Sequence, residues 1–409
     1  MEATATGTER DRLVRRNTTL LAFAQGFVQT TFPVMLVIGG PAASRISGRD
    51  GAAGFLWAAY FLAAAAGAAL IGRWMDRVGR RPGLLLAYVL VGGAATAAAL
   101  SIRAGSFWGL LASTIPFGIA LGGANLGRGA VADMYPAERR GKAVGIVLAA
   151  GTVGAVLSPI AAAAIEDVAG EGSLLPWIVP IAGAIGAIAC ALAVHPDPRD
   201  LAVEEPSVRH EGGRSPRQLL HGEPAFRTAI LAAAVGQMAM VGVMGVTPTA
   251  LDHAHHGGTT ISFVISIHIA GMFAFAPLIG RWMDRVGRRA ALVAGCAVSI
   301  AGALIAATEL SAFVVGVGLF AIGLGWSATF LGATAVISDI TAANERSGAL
   351  GFTDLLVNMS SAAAGLIGGI VLEAAGYGLL GIVLAALVGG ALIFVARLHD
   401  PADARMAGG

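Results

Sequence analysis

The sequence predicts an all-α polytopic membrane protein made of two six-helix halves, and three observations lead to this fold. The first is composition: 56% of the residues are hydrophobic and 13% are charged, whereas soluble chains carry about 25% charged residues. The second is a series of long apolar segments, and the third is an internal repeat. With a mean hydropathy of +0.75, the chain is expected to lie in a lipid bilayer.

Apolar segments recur from Leu20 to Phe394, and about 20 helical residues cross the ~30 Å hydrocarbon layer of a bilayer. The first segment follows a group of arginines, as in a secretory signal, but it is too long for one and further spans follow. We therefore expect a retained first helix. Twelve transmembrane helices are predicted, at 18–40, 53–72, 83–102, 107–134, 143–165, 174–194, 226–250, 259–280, 290–308, 311–337, 348–372 and 377–396.

The distribution of positive charge predicts the orientation. If the N-terminus is inside, only Arg45, Arg49 and Arg103 lie outside and Arg128 lies within a span, so 27 − 3 − 1 = 23 of the 27 Lys and Arg residues lie inside. The positive-inside rule then predicts that both termini are cytoplasmic. We expect the membrane to be a bacterial-type cytoplasmic (inner) membrane. The net charge of +2 gives no reason to expect a nucleic-acid partner.

An internal repeat divides the chain. Residues 70–81 read LIGRWMDRVGRR, and residues 278–289 repeat those letters without a change. Asp133, Arg140 and Gly145 likewise recur as Asp339, Arg346 and Gly351. A polar stretch rich in proline, glycine and charge separates the two copies and reads as a flexible cytoplasmic linker. We predict an N-terminal half at 1–194, a linker at 195–225 and a C-terminal half at 226–409.

The repeated GRWMDRVGRR segment resembles the G-x-x-x-D-R-x-G-R-R loop of the major facilitator superfamily. The resemblance covers the whole chain and implies that Asp76 and Asp284 lie at the N-terminus of a helix of the other half, where the helix dipole favours a carboxylate. It also implies that Arg80 and Arg288 pair with Asp133 and Asp339. Gating at the inner membrane face is the expected role of these six residues, and helix anchoring at the interface is the alternative.

Two methionine-containing motifs are the candidate solute site. Met240 and Met244 lie four residues apart in the seventh predicted span, and His268 and Met272 have the same spacing in the eighth. Each pair therefore lies on one helix face, with Met240 and His268 near mid-membrane. Thioethers and neutral imidazole are donors that suit Cu(I) and poorly suit Mg²⁺ or Ca²⁺. The alternative is that the methionines only fill gaps between helices.

In their sequence context, QMAMVGVMGVTP and ISIHIAGMFAF, these motifs resemble the CcoA-type copper importers of the superfamily. The resemblance implies that the protein imports copper for cytochrome c oxidase assembly and that Met240, Met244, His268 and Met272 bind the metal. Copper is then a substrate rather than a cofactor, and no cofactor is expected. We expect a monomer whose partners are the copper ion and the bilayer.

Two further features are candidates for supporting roles. His253, His255 and His256 lie in the loop between the seventh and eighth spans, where they could capture a metal ion outside the membrane; a solvated turn is the alternative. Asp354 lies two turns inside the eleventh span and could carry a coupling proton if burial disfavours its charged form. Alternatively, it pairs with Arg128 or faces an aqueous vestibule.

Other functions stay open at this point. The solute could be organic, such as riboflavin or a drug, with import or export as the direction, and a non-transporting receptor that senses metal is possible in principle. No Walker loop, nucleophile elbow or HExxH motif occurs in the sequence, so no enzyme is predicted. Cys190 and Cys296 are the two cysteines and lie in different predicted spans, which indicates packing rather than a disulfide framework.

Overall fold

A computed structural model describes residues 2–170, 173–203 and 213–398. Positions 204–212 of the predicted linker and 399–409 of the predicted C-terminal half lie outside the described residues. Two of the positive charges that we counted as inside, Arg209 and Arg405, lie in these stretches. Within the described ranges every regular element is helical, as predicted. The helices are Glu2–Val28, Thr31–Val34, Met35–Gly39 (a π-helix), Gly40–Ser47, Ala52–Val78, Arg80–Arg103, Phe107–Ala124, Gly127–Asp133, Ala137–Ala169, Leu175–Trp177, Ile178–Ala193, Pro198–Leu201, Pro216–Gly222, Pro224–Met244, Thr247–His253, Gly258–Phe273, Ala276–Val286, Arg288–Ala306, Ala312–Ile340 and Ala343–Val395.

Eleven helical segments in the described part of the chain are long and apolar enough to cross a membrane. The last of them, Gly348–Val395, has 48 residues and would be ~72 Å long if it were straight. Its backbone is broken at Gly376, where φ is 81° and ψ is 174°, so it makes two crossings. Ten single spans plus these two give the twelve predicted crossings.

We number these crossings 1 to 12 in chain order, and five of them are discussed below. Span 2 is Ala52–Val78, span 7 is Pro224–His253, span 8 is Gly258–Val286 and span 10 is Ala312–Ile340. Span 11 is the part of the last segment that precedes Gly376.

The chain forms two compact units. The first consists of Met1–Ser47 with Ala59–Ser207, and the second of Gly48–Ala58 with Val208–Gly409. Each has its own hydrophobic core, with Met75, Leu84 and Val131 buried in the first and Phe226, Leu292 and Val336 in the second. The second unit thus includes residues 48–58 from the start of span 2, whereas the division at 194 and 226 follows the sequence repeat and stays a prediction.

The repeated motif makes the same turn in both units. Helix Ala52–Val78 ends at Gly79, with φ at 111°, and helix Ala276–Val286 ends at Gly287, with φ at 89°. Side chains rarely adopt this backbone region, so glycine is the residue that permits a new helix to begin immediately afterwards. At Gly79 a Cβ would also lie 2.6 Å from Asp197 Oδ2.

Both described ends of the predicted linker are packed. Near its start, Leu201 O accepts a hydrogen bond of 2.8 Å from Arg10 Nη2, and Val203 N donates to Asp133 O at 2.9 Å. Near its end, helix Pro216–Gly222 begins with a capping box between Ser215 and Gln218. Backbone groups of Leu201 and Val203 and the side chains of Ser215 and Gln218 thus make defined hydrogen bonds in these flanks, which the composition of the linker did not predict.

Arg214, near the end of the predicted linker, binds two carboxylates within the second unit. Its backbone N and its Nε donate to Glu345 Oε1 at 2.8 and 3.1 Å, and its Nη2 donates to Glu345 Oε2 at 3.1 Å. Its Nη1 pairs with Glu223 Oε1 at 2.6 Å. Glu345 is buried, and a bidentate guanidinium pair is the geometry in which a buried carboxylate is best compensated.

The side-chain and backbone hydrogen bonds of Arg214 lower the pKa of Glu345 from 4.5 to about 2. Because the folded-state pKa is the lower one, the interaction stabilises the protein above pH 4.5 and is lost as the pH falls toward 2. We expect Glu345→Gln to melt at a lower temperature than the unmodified protein, with a gap that is constant from pH 8 to 5 and closes below 4.5. Thermal melting in detergent measures this, with Glu309→Gln as the control, and a gap that widens on acidification would contradict it.

Candidate functional site

Both candidate motifs end where a membrane helix is interrupted. Helix Pro224–Met244 ends at the second methionine of span 7, and the chain resumes as Thr247–His253. Helix Gly258–Phe273 of span 8 ends one residue after Met272 and resumes as Ala276–Val286. Interrupted helices are typical of the substrate sites of membrane transporters.

Proline explains both interruptions. Pro248 and Pro277 lie at the start of the second helix in each span. Since proline has no N–H group, each removes the helical donor for the carbonyl four residues earlier, which is that of Met244 in span 7 and of Phe273 in span 8. In span 7 the next carbonyl, that of Gly245, accepts a hydrogen bond of 2.7 Å from Trp57 Nε1.

All four proposed ligands are buried, with exposed fractions between 0% for His268 and 7% for Met272. The imidazole orientation is defined by one contact: His268 Nδ1 lies 2.6 Å from Leu319 O. A carbonyl only accepts hydrogen bonds, so Nδ1 carries the proton and Nε2 of the neutral ring has a lone pair. That nitrogen is enclosed and has no hydrogen-bond partner among the described residues.

Span 10 packs against both span 7 and span 8, and its contacts with span 8 define their register. A Cβ placed on Gly323 would lie 2.6 Å from His268 O and 3.1 Å from Met272 N. Together with the bond from His268 to Leu319 O, this aligns residues 268 to 272 with residues 319 to 323. Spans 8 and 10 therefore run parallel here.

Span 7 runs antiparallel to span 10. A Cβ on Gly236 would lie 2.5 Å from Thr329 Oγ1, and Gln237 Oε1 accepts a hydrogen bond of 2.6 Å from Trp326 Nε1. Continuing this register places Met240 near the level of residue 325 and Met244 near that of residue 321. Both motifs thus lie within ~9 Å of each other in depth along span 10. Spans 7 and 8 pack on span 10 rather than extensively on each other in the described chain, and joint binding by the four side chains stays a prediction.

Two of the three loop histidines, His253 and His256, have separate partners. His253 Nδ1 lies 3.3 Å from Asp50 Oδ2, and His256 Nε2 lies 2.8 Å from Leu310 O. His255 has a positive φ of 62°. Within the described ranges, no group of three or more His, Cys, Asp or Glu residues is placed to hold a metal ion. External metal capture therefore stays a prediction without a formed site.

Asp354 differs from the expectation of a buried carboxylate. Its side chain is exposed, and its backbone carbonyl accepts a hydrogen bond of 2.8 Å from Asn358 Nδ2. Apolar neighbours along the sequence suggested burial, but Asp354 and Leu355 lie on the exposed side of span 11. The proton-coupling role was argued from burial within the protein, which Asp354 does not have, and that role stays a prediction.

The two copies of the repeated motif form equivalent ion-pair triads. Arg80 Nη1 and Nη2 lie 3.1 Å from Asp76 Oδ1 and from Asp133 Oδ2. In the second unit, Arg288 lies 2.9 Å from Asp284 Oδ1 and 3.3 Å from Asp339 Oδ2. Asp76 and Asp284 are each 67% exposed, and exposed pairs stabilise folding little. The gating role of the triads, and the alternative of helix anchoring, stay predictions.

Asp197 supports the first triad and was missed in the sequence. Its Oδ1 accepts a hydrogen bond of 3.1 Å from the backbone N of Arg80, and its Oδ2 accepts one of 2.9 Å from that of Arg81. It thereby caps the helix that follows Gly79, where a negative charge is favoured. Because Asp197 lies 116 and 117 residues from its partners, no local pattern predicts this cap.

The start of span 2 makes a second set of contacts that was missed. In the second unit, Glu373 accepts hydrogen bonds from Arg49 Nε at 3.0 Å and from Gly51 N at 3.1 Å. One turn further, a Cβ on Gly54 would lie 2.5 Å from Gly365 O and 2.9 Å from Gly369 Cα. The G-x-x-x-G spacing at 365–369 is a sequence signal for such close helix packing.

A helical chain of twelve crossings with two repeated loops and interrupted spans defines a polytopic solute transporter. The chain belongs to the Major Facilitator Superfamily, whose family model matches residues 18–258 and 229–407. This identifies a membrane transporter and leaves its solute open, since one fold serves many solutes.

Known proteins resemble the chain over most of its length. It is 27% identical over 388 residues to YddS, an uncharacterized MFS-type transporter of Bacillus subtilis (strain 168), covering 91% of this chain and 88% of that protein. It is 25% identical over 370 residues to the riboflavin transporter RfnT of Brucella anthropi, covering 89% and 90%.

A crystal structure of a bacterial homolog of the human lysosomal transporter Spinster, in an inward-facing and unoccupied conformation, has the same fold. Its TM-score is 0.67 at 18% identity, with 95% of this chain and 93% of that chain covered.

We expect Asp197→Ala to destabilise the purified protein by about 1 kcal/mol, because the backbone donors of Arg80 and Arg81 lose their acceptor. A lowered melting temperature in detergent measures this. Asp200→Ala, three residues away and exposed, is the matched control. Equal melting of the two variants would contradict the capping role.

Proposed function

We propose that this transporter imports copper as Cu(I) by alternating access, with Met240, Met244, His268 and Met272 as ligands. One observation carries the proposal: the lone pair of His268 Nε2 is enclosed and unpartnered among the described residues, one helical turn from a thioether on the same face. Leaving such an atom unpaired is costly, and a bound ligand removes that cost.

The donor set favours a soft monovalent cation. Three thioethers and one neutral imidazole provide no negative charge, so a site built from them discriminates against hard divalent cations. Metal-bound histidines commonly donate their second ring N–H to a carbonyl, which fixes the ring. The hydrogen bond from His268 Nδ1 to Leu319 O is a contact of that kind.

The proposal includes the remaining expectations for a copper importer. Positive charge predicts cytoplasmic termini in a bacterial cytoplasmic membrane, and the resemblance to CcoA-type importers implies delivery to cytochrome c oxidase assembly. Transport would proceed by rocking of the two repeats around a central site. A receptor that only senses metal would bind copper without accumulating it in cells.

The test is uptake of radioactive copper by cells that lack their own importer. We expect Met240→Leu to reduce uptake roughly tenfold or more, because leucine keeps the volume of methionine but has no sulfur donor. Met238→Leu, two residues away and on another helix face, is the matched control. Equal uptake by the two variants at matched expression would refute the assignment of Met240.

A second variant isolates the imidazole. In His268→Asn, the amide can still donate to Leu319 O, but the Nε2 lone pair is gone. We expect copper uptake to fall as in Met240→Leu while the protein keeps its melting temperature. If cells expressing the unmodified protein do not accumulate copper, the proposal of copper import is wrong.

An organic solute is the second candidate, and the observation that favours it is the 25% identity to a riboflavin transporter across 89% of this chain. In that case, cells that cannot synthesise riboflavin should grow on low external riboflavin only when they express the protein. Growth that is unchanged by expression would remove riboflavin as the solute and leave the copper result unaffected.

A further inference from the structure

A cluster of aromatic rings lies beside the two motifs in the second unit. On span 10, Trp326 and Phe330 are stacked, with ring centroids 5.2 Å apart and planes at 13°. Phe273 of span 8 contacts Trp326 edge-on, at 5.6 Å and 75°. All three rings are partly exposed. Phe273 follows Met272 directly, so the cluster borders the proposed metal site without using its ligands.

A buried amide completes the cluster. Gln237 of span 7 is 8% exposed, and its Oε1 accepts the hydrogen bond from Trp326 Nε1. Its Nε2 has no hydrogen-bond partner in the described part of the chain and is not among the fully enclosed polar atoms. Two N–H donors therefore face accessible space next to the aromatic rings.

The depth of Gln237 indicates what that space contains. The residue lies thirteen positions into helix Pro224–Met244, about 20 Å from its start and so deep in the hydrocarbon layer. Unpaired amide donors facing lipid cost several kcal/mol. Donors that face water or a polar ligand avoid this cost, and the partly exposed rings of Trp326, Phe330 and Phe273 lie beside them.

We propose that Trp326, Phe330, Phe273 and Gln237 form a binding site for a planar heteroaromatic ligand with a ring carbonyl or ring nitrogen at its edge. The stacked rings offer a flat apolar surface to the ligand face. The amide donors of Gln237 pair with an acceptor at the ligand edge, and a few placed polar groups among aromatic side chains are typical of small-molecule sites. The site goes beyond copper import and deepens the organic-solute candidate, on which its transport role rests.

Lumichrome is the probe, because it is a flat tricyclic compound with ring carbonyls and no sugar. Its binding to the purified full-length protein is measured by equilibrium dialysis and by quenching of tryptophan fluorescence. We expect Trp326→Leu to weaken binding about tenfold or more, a typical effect of losing one stacking ring, and to remove most of the quenching. Trp282→Leu, at a tryptophan outside the cluster, is the matched control.

Gln237→Glu tests the polar half of the site. The carboxylate can still accept the hydrogen bond of Trp326 Nε1, but it has no N–H donors and repels a ligand carbonyl. We expect binding to fall about tenfold or more without a change in melting temperature, since hydrogen-bonding sites discriminate strongly against lost partners. Gln218→Glu, in helix Pro216–Gly222 of the predicted linker, is the control for the effect of replacing a glutamine by a glutamate elsewhere in the protein.

Two outcomes would overturn the proposed site. The first is that the unmodified protein does not bind lumichrome. The second is that stably folded Trp326→Leu and Gln237→Glu bind lumichrome as tightly as their control variants do. Copper uptake is measured on the same variants, so failure of copper import and failure of this site are read separately.

Discussion

Hydrocarbon offers no hydrogen bonds to a peptide group, and this constraint governs the rest of the structure. It makes long continuous helices the default for each crossing. Every interruption must then be compensated by protein groups or by water. The break after Met244 shows the compensation directly, because the indole of Trp57 donates to the carbonyl of Gly245 at 2.7 Å. Two such interruptions lie next to the candidate ligands, one in span 7 and one in span 8. At these places a bound solute or a side chain can provide the missing hydrogen bonds.

The membrane spans and the internal repeat are predictable from the sequence, because each depends on local composition or on a repeated motif. The pairs of Arg80 with Asp133 and of Arg288 with Asp339 join distant residues and were expected from the family resemblance of the repeated loops. Other contacts between distant residues are not predictable in this way. The cap that Asp197 places on Arg80 and Arg81 and the contact of Glu373 with Arg49 and Gly51 have no local signal. Hydropathy also does not distinguish helix faces, which is why Asp354 was expected to be buried and is exposed.

For the candidate site, too, local spacing was predictable from the sequence and contacts between distant helices were not. Met240 and Met244 lie within one helix, as do His268 and Met272, and at a spacing of four residues the members of each pair share a helix face. This spacing gives no indication that span 10 serves as the common packing partner, or that the carbonyl of Leu319 fixes the imidazole of His268. The overall scarcity of aromatic residues, 6% of the chain, also concealed their concentration at Trp326, because composition does not report clustering.

The glycines that join residues 48–58 to span 11 have a thermodynamic consequence. Gly51 and Gly54 meet Gly365 and Gly369 through backbone atoms, and glycine has no rotamers to lose when a contact forms. Arg49 and Glu373 are then side chains whose rotational freedom is restricted by hydrogen bonding in this contact. Packing of this segment against span 11 therefore loses little side-chain entropy. The free energy of the contact depends mainly on a few hydrogen bonds and on the close fit of the two backbones.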